Sequence, residues 1–110
     1  MKMKTYFRDR HDRLDYLKVC EVARRIVDDP HLIATARDFV ETVMVADPHQ
    51  QTHAQMWLAM LRLPPTEIAE ALVADTEHGR LLRETRPVFG KGLSSREVVA
   101  LLEAADAAAS

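Results

Sequence analysis

His31-Leu32-Ile33-Ala34-Thr35-Ala36-Arg37-Asp38-Phe39-Val40-Glu41-Thr42-Val43-Met44-Val45-Ala46, set between Asp28-Asp29-Pro30 and Asp47-Pro48, is the stretch that decides the fold. Leu32, Ala36, Phe39, Val40, Val43 and Met44 recur at steps of three and four, the period that gathers side chains onto one stripe of an α-helix. Proline on either side supplies the punctuation. It disfavours helical geometry in the residue before it, and the aspartates can cap the segment that follows. One amphipathic helix over about His31 to Ala46 is therefore expected, and its single apolar stripe needs neighbours to cover it.

Working outward, the same signals recur along the chain. Upstream, Tyr16, Val19, Cys20, Ala23, Ile26 and Val27 mark a helix from about Asp12 to Asp28. Downstream, Asp47-Pro48 opens a third, about His49 to Leu63, with Met56, Trp57, Met60 and Leu61 as its core face. Pro64-Pro65 stops it and starts a short fourth, about Pro65 to Ala74, burying Ile68, Ala71 and Leu72. Asp75 is read as the N-cap of a fifth, about Thr76 to Thr85, with Leu81 and Leu82 turned inward. Pro87-Val88-Phe89-Gly90-Lys91-Gly92 reads as a corner. Ser94-Ser95-Arg96-Glu97 matches a capping box ahead of a last helix carrying Val98, Val99, Leu101, Leu102 and Ala105. The expected architecture is all-α, a compact bundle of about six short helices. It forms one domain over residues 1–110, with a basic arm at 1–11 and a frayed tail at 107–110.

Composition agrees with that class. The chain has 110 residues, 47% apolar and 29% charged, with only three Gly. A chain of this size buries roughly two-thirds of its unfolded surface, enough for a core. Cys20 is the only cysteine, so neither an intrachain disulfide nor a cysteine metal cluster can be assembled, and a reducing cytoplasmic setting is expected. No apolar run approaches a membrane span or the core of a signal peptide. The net charge of −2 hides an asymmetry: residues 1–25 carry eight Lys or Arg against four acids, and residues 26–78 carry two against nine. A domain basic all over, the footprint of a nucleic-acid binder, is not what this is.

Candidate chemistry is sparse. His49 and His53 share a helix face, but no third ligand accompanies them and no glutamate follows His49 as a zinc protease requires. Cys20 lies on an apolar stripe, where a free thiol behaves as a small hydrophobe. Nothing marks an activated nucleophile, and Gly90-Lys91-Gly92 lacks the spacing of a phosphate loop. No catalytic residue, metal or cofactor is expected. Residues 66–86 have the rhythm of a helix-turn-helix, but Val73 stands where the turn glycine belongs, and the second helix opens Thr76-Glu77-His78, with an acid where phosphates would lie. DNA binding through this degenerate pair is the alternative to a protein partner; a small enzyme or metal protein is the third reading.

From Asp29-Pro30-His31-Leu32-Ile33, through Trp57-Leu58-Ala59-Met60-Leu61 and Ile68-Ala69-Glu70-Ala71-Leu72, to Asp75-Thr76-Glu77-His78-Gly79-Arg80-Leu81-Leu82-Arg83-Glu84-Thr85-Arg86-Pro87-Val88-Phe89, the chain resembles a loose group of short helical bacterial proteins associated with toxin–antitoxin-type gene pairs. The resemblance implies an antitoxin-like module whose partner is a cognate toxin, and it matches Arg80, Arg83, Pro87 and Phe89 to the group's recurrent pattern. The basic start adds Arg8, Arg10 and Arg13, so the expected partner-binding set is Arg8, Arg10, Arg13, Arg80, Arg83 and Phe89. Occlusion of the partner by the arm and first helix is the expected mode, and completion of the core across a homodimer is compatible with such short helices.

Overall fold

The computed structural model describes residues 3–90 and 93–109, with side chains through residue 107. Six α-helices follow one another: α1 Arg10–Asp28, α2 His31–Phe39, α3 Gln51–Met60, α4 Pro65–Val73, α5 Glu77–Thr85 and α6 Ser95–Ala109. Among the described residues there is no strand, only an isolated bridge between Met3 and Ala74. Among the described residues no helix is long and apolar enough to cross a membrane. The fold is the all-α bundle that the apolar spacing implies.

Local chemistry explains the boundaries. Asp9 caps α1 by accepting from the Asp12 N–H (2.8 Å), so the helix begins at Arg10, two residues before the expected start. Asp29 accepts from the His31 N–H (3.1 Å), and Asp47 from the His49 N–H (2.9 Å) at a single 3₁₀ turn, Pro48–Gln50, that leads into α3. The cap of α5 is Thr76, whose hydroxyl accepts from the Gly79 N–H (2.9 Å), rather than Asp75. The capping box closes as expected: the Ser94 N–H donates to Glu97 (3.1 Å) and the Glu97 N–H to the Ser94 hydroxyl (3.2 Å). Gly90 takes φ +86° at the corner, a region favouring glycine; Lys91 and Gly92 lie outside the described residues. Helix α6 continues to Ala109, through most of the tail expected to fray, and Ser110 is outside the described residues.

The segment after α2 departs from regular spacing. Val40–Met44 forms a π turn in which the Val45 N–H reaches the Val40 carbonyl (3.0 Å). A wider turn rotates the stripe, so Val40 and Met44 are fully buried whereas Val43, expected inside, is 48% exposed. Leu81 and Val27, also expected inside, face outward for a simpler reason: each adjoins a better-placed apolar residue about 100° round the helix, Leu82 and Ile26.

Trp57 stands at the centre of the core with no exposed surface, among Ile26, Met44, Leu61, Ile68, Leu72 and Leu82. Its indole N–H donates to the Thr85 hydroxyl (3.0 Å), and Phe89 meets its ring edge-on at 5.9 Å between centroids. A second, smaller cluster joins Tyr16, Ala23, Ala69 and Val73 where α1 crosses α4, with Phe7 and Cys20 against it. Helix α1 is thus covered by α4 on one side and by α6 on the other. Arg25 also pairs with Glu97 across the α1–α6 seam.

Candidate functional site

The arm folds back rather than projecting. Lys4 donates its backbone N–H to the Tyr16 hydroxyl (3.2 Å), and that hydroxyl donates to the Val73 carbonyl, which α4 leaves without a helical partner. Phe7 packs on the Tyr16 ring at 5.6 Å, with Lys4 and Arg13 over its own face at 5.3 and 5.1 Å. Asp12 fastens the turn, accepting from the Arg8 N–H (3.1 Å) and pairing with the Lys4 ammonium (3.4 Å). The Arg8 bond first, then the Lys4 charge, holds the Asp12 carboxyl below its ordinary value of 3.8.

That direction fixes a pH dependence. A carboxylate with a lowered folded-state pKa contributes stability that is complete above its unfolded pKa and lost as pH falls through the folded one. Protection of the Lys4 and Arg8 amides from hydrogen exchange, corrected for intrinsic rates, is expected to hold from neutral pH to about 4 and to drop on further acidification. Asp12→Asn should lower it above about pH 4 and remove the acid step. Protection that stays flat into strong acid in the wild type would contradict this role of Asp12.

Of the six expected partner-binding residues, Arg8, Arg80 and Arg83 line one hollow, while Arg10, Arg13 and Phe89 lie elsewhere. Arg10 makes a bidentate pair with Asp106 (2.6 and 3.0 Å), and Arg13 donates to the Ala105 carbonyl (3.3 Å), so both bind α1 to α6. Phe89, 7% exposed, belongs to the core beneath the corner. Arg83 is half-buried: it donates to the Leu72 and Ala74 carbonyls (3.0 and 2.8 Å) at the end of α4 and lies over the Tyr16 ring at 5.2 Å. Arg8 and Arg80 stay at the surface.

What the fold does bring together is a hollow of about 670 Å³ between the arm, α1 and α5. Lys4, Tyr6, Arg8, Asp15, Arg80 and Arg86 are among its walls. Tyr6 is 75% exposed. Beyond Arg83 and Arg86 lies a second hollow of about 420 Å³, walled partly by Val22, Val88, Leu93 and Val98. Arg86 is absent from the expected set although Arg80, Arg83 and Arg86 stand three apart; that spacing is the signal that marks it. Its N–H donates to the Arg83 carbonyl (2.6 Å), and desolvation lowers its pKa from the ordinary arginine value.

Elsewhere the chemistry is thin. Among the described residues no three His, Cys, Asp or Glu side chains cluster as a metal site would require. Burial raises the Cys20 pKa, which suppresses thiolate at neutral pH. In the α4–α5 pair, Arg80 is held by Glu77 (2.9 Å) and Glu84 (3.6 Å) while Arg83 turns inward, so α5 offers a DNA backbone little unneutralised charge. No protein-family model matches the chain, and neither curated proteins nor solved structures provide a match.

Proposed function

We propose that this chain is a small cytoplasmic helical protein-binding module, antitoxin-like, that acts by direct contact with a partner protein. The observation that carries the reading is the surface where the arm meets α5: Tyr6, largely exposed, lines one hollow together with Arg8 and Arg86. Aromatic residues and arginine are the side chains most enriched at protein interfaces and at their energetic centres. The α4–turn–α5 packing supports a second reading, a DNA-binding regulator, but the glutamates around Arg80 weaken it.

The test is affinity capture from the native host after nuclease treatment, comparing wild type with a Tyr6→Ala, Arg8→Ala variant. Neither side chain makes a core contact, so the variant is expected to melt as the wild type does while losing a stoichiometric protein partner by about tenfold or more in affinity. Salt-sensitive retention of duplex DNA with no protein partner would favour the regulator instead.

A further inference from the structure

The geometry points to the hollow between the arm, α1 and α5 as a groove for an acidic segment of a partner protein, gripped where Arg83 and Arg86 adjoin the neighbouring hollow. This deepens the protein-binding reading and rests on it. Among the groove's cations, Lys4 is neutralised by Asp12 (3.4 Å), and Arg80 by Glu77 and Glu84. Arg8, Arg83 and Arg86 have no ion pair among the described residues; Arg83 and Arg86 instead bond to backbone carbonyls, which aim the planar groups without cancelling their charge. Asp15, the carboxylate whose charge acts on Arg86, lies 3.5 Å from His11.

Arg83, half-buried, and Arg86, exposed, each present a guanidinium fork that can donate to both oxygens of an incoming carboxylate. Arg83, Glu84 and Arg86 line both hollows, so an extended segment crossing between them would meet the two arginines, with Glu84 already paired to Arg80 (3.6 Å). The second hollow offers Val88, 49% exposed, with Val22 and Val98. The preferred occupant is therefore a peptide in which carboxylates alternate with apolar side chains. A nucleic acid is the competing occupant, and the titration includes it because its phosphates would meet the same arginines without using the apolar side chains of the second hollow.

The experiment titrates the whole chain with a synthetic peptide alternating glutamate and leucine, with its lysine–leucine counterpart and with oligothymidylate, following arginine side-chain N–H resonances by NMR. Saturable shifts of Arg83 and Arg86 with the acidic peptide alone are expected, and Arg86→Gln should weaken that binding by about tenfold or more. Arg83 is unsuitable for substitution because it also closes α4. If Arg86→Gln perturbs folding, the wild-type resonances decide. Unmoved Arg83 and Arg86 resonances, undiminished binding by a folded Arg86→Gln protein, or tighter binding of oligothymidylate would each overturn the inference. A captured partner held equally by wild type and Arg86→Gln would remove the groove but leave the module reading; absence of any partner would remove that reading too.

Discussion

Trp57→Ala is expected to remove most of the chain's stability and to lower its urea midpoint sharply. Truncating a fully buried aromatic costs about 3–5 kcal/mol, the lost burial plus the cavity left behind. Phe89 would also lose its edge-on neighbour, an interaction worth about 0.5–1.5 kcal/mol beyond area. Set against the 5–15 kcal/mol typical of a whole domain, roughly, these losses take most of the margin. Trp57→Phe separates the causes: it retains much of the volume and loses the bond to Thr85, which is worth about 1 kcal/mol. Urea titrations followed by far-UV circular dichroism would show it, since Trp57 is the only tryptophan and its own fluorescence cannot serve. An unchanged midpoint in Trp57→Ala would mean the core is not organised around this ring.

Gly79→Ala is the second large effect, and its sign opposes ordinary helix chemistry. On an exposed helix, exchanging Gly for Ala gains about 1 kcal/mol. Here an added Cβ would lie 2.2 Å from the Ala74 carbonyl oxygen and 3.1 Å from the Thr76 hydroxyl that caps the same helix. The oxygen is backbone and also receives Arg83, so relief of the clash must disturb both the cap and the end of α4. Overpacking of this kind costs about 1–3 kcal/mol, occasionally more, and is expected to outweigh the propensity gain. Calorimetry should show a melting point lowered by several degrees, at about 4–8 °C for each kcal/mol in a small domain. A raised melting point would mean that α4 and α5 can part without cost.

Most of the architecture is legible in punctuation. Asp–Pro pairs and the Ser94–Glu97 box are local devices, and their reading survives folding because the groups that satisfy them lie within a few residues. The discrepancies have non-local or near-degenerate causes. Asp75 and Thr76 are both good caps one residue apart, and only the geometry of the turn selects Thr76. Val43 faces outward because a π turn breaks the 3.6-residue period on which its assignment depends. The site is less legible than the fold. Charge counting finds Arg8 and Arg80, but Arg83 is drawn to carbonyls of another helix and Arg10 and Arg13 to α6, partners that no local pattern reveals. Phe89 stands beside the arginines in sequence and beneath them in space.

The placement of α1 between α4 and α6 has a consequence for how the chain is made. A polypeptide emerges from the ribosome N-terminus first, so Tyr16, Val19 and Ile26 are synthesised well before Ile68, Ala69 and Leu72 exist to cover them. During that interval the apolar stripe of α1 has only the segments up to α3 to cover it, and the nascent chain is exposed to chaperones and to misassociation in the way late-closing topologies are. Acquisition of the native bundle is therefore a late event in synthesis, timed by the release of α4 and completed when α6 seals the other flank.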